Sequence, residues 1–235
     1  MSKIFFTSFN IREEQYIVVS GEGNNTALIH ILAEEAKTAG YYALVTASAP
    51  QRYPIEGKVL ISDETDLLFR LIRSGEPELT YLAGKVEGDL LIPFSQKELK
   101  TLVRESGSDT KIFVNLHPVN KLSDSFANLF KDALNICTIN FNVLRPLLLE
   151  IYQNTEVRSS STAQKKIQKQ FQKIIEETCP SCLQTENVSR YLLFVDQIKN
   201  VLDENLFIPV ARHFQKTREI TILYGSLYQY SVKKI

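Results

Sequence analysis

The sequence predicts an α/β fold of three layers, with a mostly parallel β-sheet between two layers of helices. Short apolar runs rich in β-branched residues are typical of buried strands. They alternate with longer stretches in which apolar residues recur at helical spacing, and this alternation favours a parallel sheet. The first strand–helix–strand unit, residues 16–46, has the length of a right-handed parallel crossover.

Length and composition are those of an ordinary globular protein. The 235 residues suffice for one large domain, and we expect a single α/β domain over residues 1–235. The 44% hydrophobic and 23% charged residues are enough to build a core and a solvated surface. The 27 basic residues balance the 27 acidic ones, which gives no indication of a nucleic-acid partner. No apolar run approaches the ~20 residues that span a bilayer, so we expect no membrane contact and a cytoplasmic location.

Apolar spacing, together with turn and capping residues, marks the helices and strands of the first half. Gly40 stops the first helix, and Ser95 with Glu98 forms a capping-box pattern that opens another. Two apolar segments, 79–84 and 89–92, flank a Gly88-Asp89 turn and predict a small hairpin. The remaining predicted strands lie at 16–20, 42–46, 58–61 and 112–116, and the predicted helices at 25–39, 65–74 and 95–106.

The second half continues the same alternation. Asn142 is the expected cap of its first helix. The polar, serine-rich stretch 156–162 is the best candidate for a loop or linker. Strands are predicted at 135–141, 191–195 and 219–224, and helices at 142–153, 163–177 and 206–214.

The loop after the first strand carries the clearest functional signal. A P-loop holds phosphate with backbone N–H groups at a helix N-terminus, with a lysine on the β- and γ-phosphates and a Ser or Thr on the magnesium. The same strand–loop–helix order occurs here, but without the lysine. The residues that would form this vestigial nucleotide or anion site are Gly21, Glu22, Gly23, Asn24, Asn25 and Thr26.

The loop resembles that of the YqeC-like family, whose members are linked to the maturation of selenium-dependent molybdenum hydroxylases. In that family a strand is followed by G-x-G-G-K-T-T. Gly21, Gly23 and Thr26 match this motif, whereas Asn24 replaces the third glycine and Asn25 replaces the lysine. The resemblance implies a P-loop NTPase-like fold.

Other segments also resemble this family in order and spacing, though weakly in identity. They are 44–48, 80–84, 194–199 and 223–227. Within 194–199, Gln197 alone matches the family's N-[KQ]-x-D motif. The family's acidic motif at the end of a central strand should fall at 115–118, where no carboxylate occurs. Three charged residues of the family motifs are therefore replaced: the P-loop lysine, the acid at the strand end, and the aspartate of the N-[KQ]-x-D motif, which reads the nucleotide base. Hydrolysis is not expected.

Strand ends supply the other candidate residues, because ligands bind beyond the carboxyl ends of strands in α/β sheets. His117 is the best-placed histidine of the chain. The residues predicted to line such a cleft are Thr46, Ser48, Asn115, His117, Asp196 and Gln197.

The three cysteines do not indicate a disulfide framework. Cys179 and Cys182 form a C-x-x-C pair, but a structural zinc needs two more ligands and none follows at a paired spacing. We therefore predict a helix-ending turn and no metal. The predicted helix 163–177 is most simply interpreted as a solvated amphipathic helix, although Ile167, Phe171 and Ile174 could anchor it to a partner.

Three functions are compatible with this pattern. The first is a divergent accessory or binding protein of the YqeC-like group that has lost hydrolysis and acts through a protein partner. The second is a nucleotide-dependent enzyme or switch with a relocated cation, for which Arg52, Lys58 and Arg145 are candidates. The third is a structural interaction module whose old cleft is filled by side chains. No cofactor is predicted beyond weak binding of a nucleotide or anion, and the sequence does not indicate an oligomeric state.

Overall fold

A nine-stranded sheet organises the described part of the computed structural model. The described residues are 4–50, 52, 58–116, 132–153, 165, 169–174, 177, 190–218, 220–229 and 231–235. Within these ranges the sheet has the order β11-β10-β9-β8-β1-β7-β2-β4-β3, and a separate hairpin pairs β5 with β6. The strands are β1 (Tyr16–Gly21), β2 (Tyr42–Ala47), β3 (Lys58–Ile61), β4 (Leu79–Ala83), β5 (Lys85–Glu87), β6 (Leu90–Ile92), β7 (Thr110–Asn115), β8 (Leu134–Asn140), β9 (Arg190–Asp196), β10 (Thr221–Ser226) and β11 (Ser231–Lys234).

Helices follow most of the strands. Those described over their full length are α1 (Ile4–Ser8), α2 (Asn25–Thr38), α3 (Thr65–Ser74), α4 (Gln96–Glu105), α5 (Phe141–Gln153) and α6 (Val201–Arg218). Residues 165, 169–174 and 177 are also helical. None of these described helices is long and apolar enough to cross a membrane.

Strand β1 lies at the centre of the sheet, between β7 and β8. Both pairings are parallel, with Val19 opposite Asn115 and Gly21 opposite Thr138. Only β11 is antiparallel within the large sheet, paired with β10. The carboxyl ends of β1, β7 and β8 therefore meet at one edge, beneath the N-terminus of α2.

Alternating side chains of the strands build a core on each face of the sheet. On one face Ile17 and Val19 pack with α1 and α2. On the other face Val18 packs with α4, and the alternate residues of β8, β9 and β10 pack with α5 and α6. The predicted fold class, a three-layer α/β fold with a mostly parallel sheet, is confirmed.

The hairpin prediction was wrong in one arm. Segment 79–83 is β4, a parallel strand between β2 and β3, and the hairpin is formed by β5 and β6 around Gly88. Leu79, Tyr81 and Leu82 are all buried, because β4 is covered on both faces. An apolar run without alternation is typical of such an internal parallel strand.

Helix ends differ from the predictions in two places. The amide of Asn142 donates to Asn140 Oδ1 at 2.9 Å, so Asn140, and not Asn142, accepts at the start of α5. Helix α6 extends over Val201–Arg218, well beyond the predicted 206–214. The capping box at Ser95 and Glu98 is confirmed. Helix α1 and strand β11 were not predicted, and the proposed linker 156–162 lies outside the described residues.

Two of the three predicted docking anchors on helix 163–177 face the core of the protein. Phe171 is fully buried, and its ring meets Phe214 of α6 edge-on at 5.1 Å. Ile174 packs against the same cluster, and Ile167 lies outside the described residues. The suggestion that Phe171 and Ile174 anchor a partner was therefore wrong.

Lys111 is a buried cation at the amino end of β7. Its Nζ donates to the carbonyls of Arg12 at 2.9 Å and Glu14 at 2.5 Å, and lies 4.5 Å from the centroid of the Tyr41 ring. Only 3% of the residue is exposed. Burial lowers the pKa of Lys111 from its ordinary value of 10.5, and the nearby Glu14 and Asp109 oppose that shift. Lys111 thus ties the segment before β1 to the sheet.

Replacing Lys111 by Met should lower the free energy of unfolding by about 1–3 kcal/mol, because two carbonyls lose their donor. The lowered pKa means that the folded protein releases this proton at a lower pH than the unfolded chain. The stability difference between the wild type and Lys111→Met should therefore grow as the pH rises toward 10.5. Urea unfolding across this range measures it. Lys97→Met, at an exposed position of α4, is the control and should change little at any pH.

Candidate functional site

The candidate site is the loop between β1 and α2, residues 21–26, at the carboxyl edge of the sheet. Gly21 has a φ of +104°, a backbone conformation that residues other than glycine rarely adopt. Asn24 caps α2, and its Oδ1 accepts from the amide of Ala27 at 3.2 Å. Glu22 is exposed. The local order of strand, glycine turn and capped helix is that predicted for a P-loop-like unit.

Asn25, which the predicted resemblance aligns with the P-loop lysine, points into the protein. It is only 8% exposed, and its Nδ2 donates to the carbonyl of Gly21 at 2.9 Å. Its Oδ1 lies in a short hydrogen-bond contact with the hydroxyl of Thr138 in β8. Asn25 therefore connects the loop to two of the three central strands.

Thr138 completes this network from the neighbouring strand. Its Oγ1 accepts from the amide of Gly23 at 3.0 Å. Its single proton can go to Asn25 Oδ1 or to the carbonyl of Ser20, 3.2 Å away. A Cβ on Gly23 would lie 2.6 Å from Thr138 Oγ1, so glycine is required for this close approach. We call Gly21, Gly23, Asn25 and Thr138 the loop network.

The loop network uses backbone donors that a P-loop offers to phosphate. The amide of Gly23 is bound to Thr138, and that of Asn25 donates to the carbonyl of Gly23 at 2.9 Å. The amides of Ala27 and Leu28 donate to the side chain and carbonyl of Asn24. A phosphate would have to displace such contacts, whereas a phosphate loop presents its amides to the ligand.

Sequence reasoning missed Thr138. The signal was a threonine between the apolar residues Cys137 and Ile139 of the predicted strand 135–141. A buried hydroxyl at such a position needs a hydrogen-bond partner. Only the pairing of β8 with β1 shows that the partner is the loop.

Two of the predicted cleft residues lie beside the loop. Asn115 ends β7 and is 1% exposed, and its Nδ2 donates to Thr26 Oγ1 at 3.4 Å. The amide of Ser48 donates to the carbonyl of Asn115 at 2.9 Å. Asn115 and Ser48 thus join the ends of β7 and β2 next to the start of α2.

The other predicted cleft residues do not join this group. Thr46 is 1% exposed and its hydroxyl has no hydrogen-bond partner. By strand alternation Thr46 shares the side of Leu44, which packs on the sheet face opposite α2. His117 lies outside the described residues.

Asp196 and Gln197 serve a different turn. Asp196 is 2% exposed, and its Oδ1 accepts from the amide of Leu227 at 2.9 Å. Its Oδ2 accepts from Gln197 Nε2 at 3.2 Å, and Gln197 has a left-handed φ of 72°. The carboxylate therefore braces the turn that follows β10 and is not directed at the loop.

None of the three candidate cations contacts the loop in the described structure. Arg52 pairs with Asp89 at 3.0 Å, with both side chains exposed. Arg145 pairs with the buried Asp203 at 3.2 Å. Lys58 begins the edge strand β3, and successive registers place it level with Tyr16, at the opposite end of β1 from Gly21.

Cys137 is buried in β8 and is disulfide-bonded, a bond that the sequence did not lead us to expect. The pair Cys179 and Cys182 lies outside the described residues. No group of three or more potential metal ligands occurs among the described residues.

Comparison with known proteins adds little to this site. No protein-family model matches the sequence, and no curated protein does. The resemblance to the YqeC-like family therefore stays a prediction. A chain of the MinC:MinD cell division protein complex of Aquifex aeolicus is similar over 90% of this chain and 81% of its own, at 12% identity and a TM-score of 0.40. A TM-score this low carries no argument about function.

Replacing Thr138 by Val should lower the free energy of unfolding by about 1–3 kcal/mol, because the Gly23 amide and Asn25 Oδ1 lose their partner while the shape is kept. Urea unfolding gives the loss. Hydrogen exchange of the Gly23 amide should accelerate at the same time.

Thr138→Ser is the matched control, since it keeps the hydroxyl and removes only a methyl group. The Gly23 amide should remain protected in this variant. Equal protection of that amide in Thr138→Val and in the wild type would contradict the loop network.

Proposed function

We propose that this chain is a divergent accessory or binding protein on a P-loop-like fold that does not hydrolyse nucleotides. The observation that carries the proposal is the loop network. In it the buried side chain of Asn25 binds the Gly21 carbonyl, and the Thr138 hydroxyl binds the Gly23 amide. The position that would neutralise phosphate holds a buried amide instead.

The electrostatic balance of the loop supports the proposal. A lysine ~4 Å from a phosphate is worth about 4 kcal/mol at an effective dielectric of about 20. No described cation contacts this loop, and the exposed Glu22 adds a negative charge to it. A nucleotide would therefore meet no described cation, and it would have to compete with Thr138 for the Gly23 amide.

An accessory role fits the resemblance to the YqeC-like family, whose members are linked to enzyme maturation. In this proposal the fold persists as a scaffold and the hydrolytic residues do not. The alternative of a switch with a relocated cation has less support, because Arg52 and Arg145 pair with acids elsewhere.

A surface at the carboxyl edge favours a protein partner. Four large hydrophobic side chains are exposed there, and we call them the edge patch: Val143, Val201, Leu202 and Tyr228. They begin α5, begin α6 and occupy the turn after β10, so they follow the adjacent strands β8, β9 and β10. Exposed apolar side chains that follow adjacent strands support an interaction site at this edge.

Charge beside the edge patch supports one kind of protein partner. Lys199 is exposed there, whereas Arg145 is paired with the buried Asp203 and Asp196 is also buried. The described surface here is apolar with one exposed lysine at its rim. It suits a protein surface that presents apolar side chains with an acidic residue beside them.

Calorimetry with ATP, GTP and CTP, with and without magnesium, tests the loss of nucleotide chemistry. We expect no heat of binding up to millimolar nucleotide and no release of phosphate. Submillimolar binding with phosphate release, both abolished in Thr26→Ala, would overturn the proposal, because they would require a working cradle at the loop.

Substitution of the edge patch tests the partner. The double variant Leu202→Glu/Tyr228→Ser should bind the partner at least tenfold more weakly, because it removes two apolar contacts and adds a repelling charge to an apolar interface. The protein is immobilised, and a captured partner is identified and its affinity measured at two salt concentrations.

Val86→Glu is the control, since Val86 is exposed on the separate β5–β6 hairpin. It should leave the affinity unchanged. Equal affinity of both variants for every captured protein would refute the edge patch as the docking surface.

A further inference from the structure

A concave site lies at the edge of the sheet opposite the loop network. It is a cavity of ≈ 440 Å³ lined by Arg212, Gln215, Lys216, Ile220, Thr221 and Ile235. Thr221 is the first residue of β10, so the cavity lies at the amino ends of the strands. The loop network lies at their carboxyl ends. We call this cavity the amino-edge pocket.

Three polar residues of α6 converge on the pocket. Arg212, Gln215 and Lys216 are spaced i, i+3 and i+4, so they share one face of the helix. Arg212 and Lys216 are both exposed. Within the described part of the chain neither forms an ion pair, whereas Lys233 of the adjacent β11 pairs with Glu204. The pocket thus concentrates two positive charges that the described residues do not neutralise.

Gln215 adds a second, independent feature. Its Oε1 is buried and has no hydrogen-bond partner. Buried acceptors are nearly always satisfied by the protein, by water or by a ligand. A ligand with an O–H or N–H group would satisfy this oxygen once the Gln215 side chain, which lines the pocket, turns toward it, while the anionic group of the ligand binds the neighbouring cations.

The remaining walls are apolar. Ile220 and Ile235 line the pocket together with Thr221. A volume of ≈ 440 Å³ lies within the range typical of small-molecule sites. Apolar walls with a few convergent polar groups are the usual composition of such sites.

We propose that the amino-edge pocket binds a small organic anion. A carboxylate or phosphate group lies between Arg212 and Lys216, a hydroxyl or N–H group donates to Gln215 Oε1, and the apolar body packs on Ile220 and Ile235. The pocket lies at the amino ends of the strands, whereas the loop network and the edge patch lie at the carboxyl ends, so this site is separate from both.

A titration followed by NMR of the ¹⁵N-labelled protein tests the proposal. The probes are inorganic phosphate, phenyl phosphate, 4-hydroxyphenyl phosphate and 4-hydroxyphenylacetate. Saturable shifts should occur at α6, at Ile220 and at the side-chain amide of Gln215. The 4-hydroxyphenyl compounds should bind at least tenfold more tightly than inorganic phosphate, and the tighter of the two identifies the anionic group.

Variants separate the contributions of the three polar residues. Arg212→Gln/Lys216→Gln should raise the Kd of every probe that binds at least tenfold. Gln215→Leu should weaken 4-hydroxyphenyl phosphate but not phenyl phosphate, since only the former donates to Oε1. Lys97→Gln removes an exposed lysine of α4, outside the pocket, and should change no Kd. Dispersed spectra confirm that each variant is folded.

Shifts that do not saturate, or a Kd that is the same in Arg212→Gln/Lys216→Gln and the wild type, would overturn the proposal and leave a water-filled cleft. The outcome is independent of the proposed function. If a heat of nucleotide binding is measured and persists in Arg212→Gln/Lys216→Gln, the nucleotide does not bind in the pocket. The amides whose NMR signals then shift show whether it binds at the loop.

Discussion

The central constraint on this structure is the burial of β1 between β7 and β8, with helices on both faces of the sheet. Every polar group at the carboxyl end of β1 must then find its partner within the protein. Thr138 meets this requirement from the adjacent strand, because the parallel register places it opposite Gly21. The position of α2, the conformation of the loop and the burial of Asn25 all depend on this pairing.

In the proposed function, the filled loop lets a P-loop-like layout persist without nucleotide chemistry. In a phosphate loop, unsatisfied amides and a lysine make the site attractive to anions but unfavourable when empty. Here Thr138 accepts from the Gly23 amide, as a phosphate oxygen would, and Asn25 binds the Gly21 carbonyl and the Thr138 hydroxyl. The loop is thereby stable without a ligand, and the strand–loop–helix unit serves the fold.

The two edges of the sheet have different characters. The carboxyl edge carries the loop network and the exposed apolar side chains that begin α5 and α6. The amino edge carries the buried Lys111 and the pocket with two cations. Because a parallel sheet gathers like strand ends at like edges, residues distant in sequence are brought together at each of them.

Much of the fold could be predicted from local patterns, because apolar period and capping residues act within a few positions of the chain. The helix Thr65–Ser74 and the capping box of α4 were predicted in this way. The hairpin was mistaken because the turn at Gly88 is a local signal, whereas the pairing of β4 with β2 and β3 is a long-range choice. Strand β11 was missed for a similar reason, since its polar sequence becomes a strand only against β10.

The strand–loop–helix at Gly21 and the absence of a lysine from its loop were determined by the sequence itself. What Asn25 does there was decided by the tertiary structure, since its partner Thr138 is 113 residues away. The same holds for Asp196, predicted in a cleft but bound to the turn at Leu227. The physical reason is that residue type and spacing limit what a side chain can do, whereas hydrogen bonds are short and directional, so only the packed sheet selects the partner.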